Sequence, residues 1–399
     1  MIVAVIGGGA AGFFTAINMA ERHPDWNVTI LEKSNKLLSK VKVSGGGRCN
    51  VTNGRSAAGD LVPFYPRGNK KLYKVFQQFS TNDMVEWLQQ RGVETHMEDD
   101  LRMFPVTNDS QTIINCFLNE SKRLGITIRT NFGIEIIRQL GEQWEIRSSD
   151  EQLIVDKLVI ATGSSPAAWK MVSTIGLDIV DPVPSLFTFN IKDDRIANLM
   201  GISFPNVSIK IAGTKLEESG PLLITHWGLS GPAVLKLSAW GARELNKLKY
   251  QFRTMINFTG TSSAEQIRHD INQYKAHNPK RKVSNYALYD LPKRFWSQLV
   301  HYCEIGEETP FGELSKKQIN KLTEELYQGL YQVKGKSTFK EEFVTSGGVN
   351  LNEINLQSFE AKRFPNLYLA GEVLDIDALT GGFNFQACWS GGWIIAQNI

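Results

Sequence analysis

The sequence has few cysteines, and those it has are scattered. Cys49, Cys116, Cys303 and Cys388 are spread over 399 residues. They form neither a C-x-x-C pair nor a metal-binding spacing, which argues against a metal cluster and against a vicinal redox pair. The pattern is typical of free thiols in a reducing cytoplasm.

Long apolar runs and an excess of one charge are also absent. No run reaches the roughly 20 apolar residues that a membrane span requires. The apolar N-terminus has neither a basic leader nor a cleavage site, so we expect a cytoplasmic protein without a membrane partner. The formal net charge of +3 is too small to indicate nucleic-acid binding by itself. The chain is long enough for two or three domains with a substantial core.

Glycine is concentrated near the N-terminus, in MIVAVIGGGAAG. Residues 2–6 are an apolar, β-branched run typical of a strand buried on both faces. Gly7, Gly9 and Gly12 then form G-x-G-x-x-G at the predicted start of a helix. In such a motif the first glycine allows a tight turn, the second lets the backbone approach a pyrophosphate, and the third lets helix and strand pack closely. The pyrophosphate would sit on free N–H groups at the helix N-terminus.

An acidic residue follows this motif at the expected distance. A second apolar run, residues 28–31, ends at Glu32, twenty residues after Gly12. A carboxylate there can accept both ribose hydroxyls of an adenosine and would repel a 2′-phosphate. The alternative is a surface acid that merely ends a strand. Because strand, glycines, helix, second strand and acid are in register, the sequence predicts a site for an ADP-containing ligand.

A second glycine cluster, SGGGRCNVTN, occupies residues 44–53. Three consecutive glycines disfavour helix and strand, so we predict a loop that approaches a cofactor and holds Arg48 beside it as a fixed cation. The alternative is a flexible surface hairpin. Cys49 could serve as a redox thiol, but with no second cysteine nearby a packing role is favoured.

The remaining pattern predicts an α/β fold with an insertion. Residues 64–130 are mostly helical, and a buried strand at 157–162 ends in Ala161-Thr162-Gly163. We predict a dinucleotide-binding domain formed by residues 1–185 and 346–399. Alternating apolar residues, typical of antiparallel strands, place a β domain at 186–262 and 330–345. Residues 263–329 form a helical subdomain on it.

Five segments together resemble a known family. MIVAVIGGGAAG, SGGGRCNVTN, Phe104-Pro105, THWGLSGP and AGEVLDIDALTGGFNFQ are similar to the BaiN/RdsA (YhiN-like) family of bacterial FAD-dependent oxidoreductases. The resemblance covers nearly the whole chain. It implies a glutathione-reductase-like, FAD-binding Rossmann domain with an inserted β-barrel domain that carries a helical subdomain.

The resemblance also implies the cofactor contacts. The residues it places at FAD are Gly7, Gly9, Ala10, Ala11, Gly12, Glu32, Lys33, Lys40, Gly45, Gly46, Gly47, Arg48, Cys49, Asn50, Ile134, Ala161, Thr162, Gly163, Gly371, Glu372, Asp375, Thr380, Gly381, Gly382, Phe383 and Asn384. The N-terminus of the last helix would stabilise negative charge on the reduced flavin. A terminal helix that simply docks on the sheet is the alternative.

Two departures from the family pattern concern loops. The family usually has A-T-G-G and a longer segment where this chain has Gly163 followed by Ser164, Ser165 and Pro166. Leu38 stands where the family tends to have glycine. The shape of the loop near the substrate is therefore open.

With FAD, the ring carries the redox chemistry and the protein supplies position and electrostatics. No second G-x-G-x-x-G unit is visible, so NAD(P)H would have to dock transiently as the reductant. Arg48 is the candidate cation near flavin or substrate, and His226 the candidate proton donor, with a structural role as its alternative. We predict no metal site. The oligomeric state is open.

The sequence is compatible with three functions. The first is oxidation or reduction of a small organic substrate such as a steroid-like enone or an amine. The second is dihydrouridine formation in ribosomal RNA, and the third is flavin binding without catalysis. RNA is favoured by basic groups, for which solvated helix faces are the alternative. These groups are Arg67, Lys70, Lys71 and Lys74; Lys280, Arg281 and Lys282; and Lys293 and Arg294 with Phe295 and Trp296.

Overall fold

The computed structural model describes residues 1–337 and 344–399. Residues 338–343, which belong to the strand segment predicted at 330–345, lie outside the described residues. The chain forms two compact units, Met1–Val183 with Lys340–Ile399 and, separately, Pro184–Phe339. The domain boundaries drawn from the sequence stay predictions.

The helices and strands of the described residues are numbered in chain order. The helices are α1 Ala10–Arg22, α2 Ser39–Val43, α3 Ala58–Leu61, α4 Asn69–Gln78, α5 Thr81–Gln89, α6 Ser110–Arg123, α7 Pro166–Thr174, α8 Pro232–Trp240, α9 Ala242–Lys247, α10 Ala264–His277, α11 Lys293–Tyr302, α12 Lys316–Gln328 and α13 Phe383–Asn398. Short 3₁₀ turns occupy Ser44–Gly47, Val62–Phe64 and Phe311–Glu313. The strands are β1 Ile2–Ile6, β2 Asn27–Leu31, β3 Thr52–Asn53, β4 Thr95–Met97, β5 Arg102–Pro105, β6 Thr127–Arg129, β7 Ile136–Leu140, β8 Gln143–Arg147, β9 Gln152–Val155, β10 Lys157–Ile160, β11 Ile179–Ser185, β12 Thr188–Asn190, β13 Ser203–Ile211, β14 Glu217–Ile224, β15 Gly228–Ser230, β16 Gln251–Asn257, β17 Gly329–Lys334, β18 Lys336–Ser337, β19 Val344–Val349, β20 Ile354–Asn355, β21 Glu360–Ala361 and β22 Leu367–Leu369.

The first unit is built on a sheet with β1 near its centre. The strand order is β20-β21-β22-β10-β1-β2-β6, and the strands from β22 to β6 are parallel. Val3, Ala4 and Val5 are buried, as expected for a parallel strand covered on both faces. Helices α1 and α13 pack against each other. This is the Rossmann-type arrangement that the sequence predicted.

Smaller sheets complete the first unit. Strands β7, β8 and β9 form an antiparallel meander. Strands β3, β5 and β4 form a separate antiparallel sheet, which carries part of the second glycine segment toward α13. The two-stranded sheet of β11 and β19 completes this set.

The second unit contains a sheet that closes on itself. Its order is β17-β16-β13-β14-β15-β12-β18. Strands β17 and β18 are separated only by Gly335, yet β17 pairs with β16 at one edge and β18 with β12 at the other. The Asn190 N–H also donates to the Gly335 carbonyl at 3.0 Å. The antiparallel sheet is therefore a barrel, as predicted.

One hydrophobic core joins the barrel to its helices. Phe252 and Ile256 from the barrel belong to the same buried cluster as Ile271, Trp296 and Leu322 from the helices. Burial of alternate residues along β17 follows the period of two expected for a strand with one wet face. In the part of the chain that the structure describes, no helix combines the length and the apolarity needed to cross a bilayer.

Candidate cofactor-binding site

Only glycine fits at two positions of the motif, Gly7 in the turn after β1 and Gly12 in α1. Gly7 has φ +116°, and its N–H donates to the Leu31 carbonyl at 2.8 Å. A Cβ at Gly7 would overlap the Ala161 carbonyl oxygen, and a Cβ at Gly12 would overlap the Gly7 carbonyl oxygen. These contacts explain the first and third glycines of the motif as a tight turn and a close helix–strand approach.

Gly9 differs from Gly7 and Gly12, the other two glycines of the motif. A Cβ at this position would meet no atom within 4 Å, so the protein itself does not require glycine here. Helix α1 begins at the next residue, with no acidic side chain in its first turn and no side-chain cap from Gly9. Open space beside uncapped N–H groups is what a pyrophosphate needs. The residues present therefore fit a dinucleotide.

Glu32 lies at the end of β2, and its carboxylate is held by three hydrogen bonds. Oε2 accepts from the Gly8 N–H at 2.9 Å. Oε1 accepts from the N–H and the hydroxyl of Ser34, each at 2.9 Å. A carboxylate offers about four acceptor positions, so Oε2 can still accept a further hydrogen bond. The motif did not foretell the bonds from Gly8 and Ser34.

Three other predicted contacts differ in their exposure. Lys33 is exposed, and Ala10 and Ile134 are half-buried. The Phe132 N–H donates to the Glu32 carbonyl at 2.9 Å. That bond brings the loop containing Ile134 beside the end of β2.

The A-T-G segment follows β10 directly beside the glycine turn. The Ala161 N–H donates to the Ile6 carbonyl at 2.8 Å. Thr162 Oγ1 is buried and has no hydrogen-bond partner among the described residues. A buried hydroxyl without a partner costs about 1–3 kcal/mol. The Thr162 hydroxyl is therefore a second feature that fits a bound ligand.

Lys40 bonds both to Ser164, which follows the A-T-G segment, and to the C-terminal loop, residues 371–382. Its ammonium forms an ion pair with Glu372 and donates to the Ser164 hydroxyl at 3.3 Å. A Cβ at Gly163, which has φ +61°, would lie 3.7 Å from Glu372 Oε2. Ser164, where the chain departs from the family pattern, is thus part of this polar network.

The second glycine segment forms the predicted loop. Gly45, Gly46 and Gly47 all have positive φ values. A Cβ at Gly46 or Gly47 would meet nothing within 4 Å, which leaves their backbone accessible to a ligand. Cys49 is fully buried, and burial raises the pKa of its thiol to about 12. A neutral buried thiol agrees with packing rather than redox chemistry.

Arg48 is an anchored cation. Its guanidinium pairs with Glu98 Oε1 at 2.6 Å and lies over the ring of Phe104, 4.0 Å from the ring centroid. Glu98 also pairs with Arg102 at 2.9 Å. The charge of Arg48 is therefore partly balanced by a carboxylate that the sequence did not connect with it.

The second glycine segment and the C-terminal loop, predicted separately, come together in the structure. Asn53 donates to the Gly381 carbonyl at 2.9 Å, and Thr52 Oγ1 donates to Gln386 Oε1 at 2.6 Å. The Asn50 side-chain amide is oriented so that it bonds to both segments. Its nitrogen donates to the Thr52 carbonyl and its oxygen accepts from the Gly382 N–H, each at 2.9 Å.

Internal contacts fix the C-terminal loop where it enters α13. Asn384 accepts from the Ala378 N–H at 2.9 Å and donates to the Ala378 carbonyl at 3.1 Å. The Asp375 N–H donates to the Val349 carbonyl at 3.0 Å. Gly371 is buried and Thr380 is exposed. Helix α13 starts at Phe383 with no acidic residue in its first turn, so its positive end lies at this loop.

Sequence reasoning missed the residues that support this loop from the other side. Arg67 forms a two-pronged ion pair with Asp377, and the Tyr65 hydroxyl donates to the Phe383 carbonyl at 2.6 Å. The sequence shows an arginine and a D-x-D spacing, but it contains no signal that pairs them. Arg67 was predicted only as part of a basic group.

The predicted functional residues of the second unit lie at its surface or in its core. His226 is exposed in the turn between β14 and β15. Lys282 pairs with Glu308, and Arg281 lies over the Tyr286 ring at 4.1 Å. Phe295 and Trp296 are fully buried. The sequence groups both with Lys293 and Arg294 in favour of RNA, but the phase of α11 turns their rings into the core.

Comparison with solved structures identifies the fold. A flavocytochrome c3 fumarate reductase matches with a TM-score of 0.50 and 14% identity, covering 99% of this chain and 77% of that one. A 3-ketosteroid-delta4-(5alpha)-dehydrogenase from Rhodococcus jostii RHA1 matches with a TM-score of 0.50 and 11% identity, covering 99% and 96%. These likenesses show the fold, which contains a Rossmann-type domain. The chain belongs to the HI0933-like protein Rossmann domain family, which matches residues 1–398.

Curated relatives agree with the family that the motifs indicated. The chain is 28% identical to a ribosomal RNA dihydrouridine synthase of Escherichia coli, covering 99% of this chain and 97% of the relative. It is 25% identical to a 3-dehydro-bile acid delta(4,6)-reductase of Clostridium scindens, covering 99% and 98%. The assignment to the BaiN/RdsA group is thereby confirmed.

Proposed function

We propose that this protein uses FAD to reduce a carbon–carbon double bond conjugated to a carbonyl group in a small organic substrate, with NAD(P)H as the source of hydride. The observation that carries the proposal is the start of α13, which Asn50, Thr52 and Asn53 hold in place. The names of the two curated relatives support the bond type, since a dihydrouridine synthase and a delta(4,6)-reductase both saturate a ring double bond.

The first unit supplies the groups that would hold FAD. We assign the pyrophosphate to the open side of Gly9 and the N-terminus of α1. Glu32 would accept from a ribose hydroxyl through Oε2, and Gly8 and Ser34 hold the carboxylate in place for that purpose. Thr162 Oγ1, buried without a partner among the described residues, would bond to the cofactor. The other FAD contacts named from the family belong to the same proposal.

FAD, when bound, supplies hydride transfer. The contribution of the chain is electrostatic. Partial positive charge at the start of α13 favours negative charge on a ligand placed there. Arg48, fixed by Glu98 and Phe104, adds a cation whose position is restrained. His226 stays a candidate proton donor on the second unit.

A small substrate is the first choice because several of the predicted RNA-binding groups have other roles. Arg67 is paired with Asp377 and Lys282 with Glu308. Phe295 and Trp296 are buried in the core, so they cannot stack on bases. These observations weaken the composition-based argument for RNA.

Anaerobic half-reactions test the proposal. The purified holoprotein is reduced with NADPH or NADH, and the decrease of flavin absorbance is followed. The reduced protein is then mixed without oxygen with a cyclic enone, with the matching saturated ketone as the control. We expect the enone alone to restore the absorbance of oxidised flavin. Failure of every enone and dienone to do so, in protein that NAD(P)H reduces readily, would rule out this substrate class.

RNA is the second candidate, favoured by one feature of the second unit. A surface cleft of about 520 Å³ lies between α10 and α12. It is lined by Arg268, Asn272, Lys275, Leu314, Lys316, Ile319 and Asn320. No carboxylate is present among these lining residues, so the cleft suits a phosphate group. The name of the relative from Escherichia coli gives further support.

The RNA candidate is tested separately. Ribosomal RNA fragments replace the enone in the same anaerobic mixing experiment, and dihydrouridine is measured in the product by mass spectrometry. RNA with pre-reduced uridines is the control. Dihydrouridine in the product, with no turnover of enones, would reverse the order of the two candidates.

A further inference from the structure

Residues 64–68, here called the buttress segment, run along the C-terminal loop. The Leu379 N–H donates to the Phe64 carbonyl at 2.9 Å. The rings of Phe64 and Phe383 are stacked with centroids 4.3 Å apart, and the Tyr65 hydroxyl donates to the Phe383 carbonyl at 2.6 Å. The buttress segment therefore contacts the loop at its middle and at the first residue of α13.

Arg67 makes the strongest of these contacts. Its Nε and one terminal nitrogen bond to the two carboxylate oxygens of Asp377. The Asp377 side chain is fully buried, and that of Arg67 is 10% exposed. A buried ion pair is often no more stabilising than a well-packed apolar pair of similar volume, but its fork geometry restricts the relative position of the two chains. Arg67 thus fixes where the loop lies.

The position of this loop sets the position of the first turn of α13. Asn384 in that turn is bonded to Ala378 at both the N–H and the carbonyl, and Ala378 is adjacent to Asp377. A displacement of Asp377 is therefore passed on to the start of the helix. The electrostatic effect of a helix end falls off within its first turn, so a small displacement changes the charge stabilisation that it provides.

We propose that Arg67 is a positioning residue that tunes the reduction potential of the flavin by holding the start of α13 in place. The inference rests on the proposed function only in assigning the flavin to this helix end. Tyr65 has the same role at Phe383. Neither residue needs to touch the cofactor.

The test measures FAD affinity and midpoint potential in Arg67→Lys and Tyr65→Phe. Lysine keeps the charge but loses the fork, and phenylalanine removes only the hydroxyl bonded to Phe383. We expect Arg67→Lys to lower the preference for reduced over oxidised flavin about tenfold, which is a potential about 30 mV more negative for a two-electron couple. Tyr65→Phe should shift the potential in the same direction by less, and it keeps the test valid if the Arg67 variant fails to fold.

Two further variants separate positioning from stability. Arg91 is a comparably buried cation, 9% exposed, paired with Glu21 and Glu120, and it contacts none of the residues proposed to bind FAD. Arg91→Lys should lower the Tm without moving the potential. The double variant Arg67→Met with Asp377→Leu should recover the Tm of the wild type but keep the shifted potential.

The outcomes are distinct. A potential unchanged in Arg67→Lys and in Tyr65→Phe, with only the Tm lowered, would overturn the inference and leave the buttress segment a structural support. A wild-type protein that binds no FAD would instead contradict the proposed function.

Discussion

The Gly8 N–H donates a hydrogen bond to the Glu32 carboxylate at 2.9 Å. The glycine turn and the acidic residue follow two different strands, and this bond puts them in direct contact. This bond holds the carboxylate beside the start of α1. Preorganisation of this kind lowers the ordering cost of ligand binding.

Gly9→Val is expected to abolish FAD retention without unfolding the protein. A branched side chain would fill the space assigned to the pyrophosphate, but it would meet no protein atom at its Cβ. Gly12→Ala is the matched control, because a Cβ there overlaps the Gly7 carbonyl and should lower the Tm. Titration of the apoprotein with FAD and thermal unfolding are the measurements. FAD binding by Gly9→Val at wild-type affinity would place the cofactor elsewhere.

Glu32→Ala should weaken FAD binding by about 1–3 kcal/mol, the value of charge-assisted hydrogen bonds. The comparison is Ser34→Ala, which removes the hydroxyl bonded to Oε1 but leaves the carboxylate. Calorimetric titration with FAD and with FMN measures the effect. Since FMN lacks the adenosine ribose, its weaker binding should not change in either variant. An equal loss for both flavins would contradict the assignment of Glu32 to the ribose.

Thr162→Val should have opposite effects on the apoprotein and on FAD binding. Valine has the shape of threonine without the hydroxyl, so it removes a buried polar atom that lacks a protein partner. The apoprotein should therefore become more stable, while FAD affinity falls by about 1 kcal/mol. Thermal unfolding with and without FAD measures both. An unchanged FAD affinity would show that the hydroxyl does not face the cofactor.

The cysteines should be unreactive in the native protein at neutral pH. Burial raises the pKa of Cys49, Cys303 and Cys388 to about 12 and that of Cys116 to about 11. The pKa of each thiol is higher in the folded than in the unfolded protein. The free energy of unfolding therefore keeps the full contribution of the neutral thiols below about pH 8.5 and loses it as the pH rises toward 12. A thiol reagent should label the denatured chain but not the native one at pH 8. Rapid labelling of native Cys49 would revive its redox role.

Charge reversal at Lys280, Arg281 and Lys282 tests whether this loop belongs to an RNA interface. Lys282 is already paired with Glu308, so the triple change to Glu tests mainly the other two cations. If RNA is the substrate, its affinity should fall and its salt dependence should become weaker, since fewer counterions are released. FAD content should not change. A variant that binds ribosomal RNA as tightly as the wild type would exclude this loop from an RNA interface.

Some features of the protein could be read from the sequence because they are local. The glycine motif spans only residues 7–12, and the contact that requires glycine at Gly12 comes from the Gly7 carbonyl within it. The barrel strands follow a period of two, as in β17, and Glu32 follows the second strand at a fixed spacing. Each of these signals lies within about thirty residues, the length of a βαβ unit.

Other features were decided by the tertiary structure. The partner of Arg67 is Asp377, 310 residues away, and Arg48 pairs with Glu98 across 50 residues. The phase of α11 buries Phe295 and Trp296, and the packing around Thr162 isolates its hydroxyl. Which side chains meet depends on how distant segments pack, and the free energy of a buried charge or hydroxyl depends on those neighbours. The sequence by itself determined the glycine turn and the family, and only the tertiary structure decided which residues hold the C-terminal loop in place.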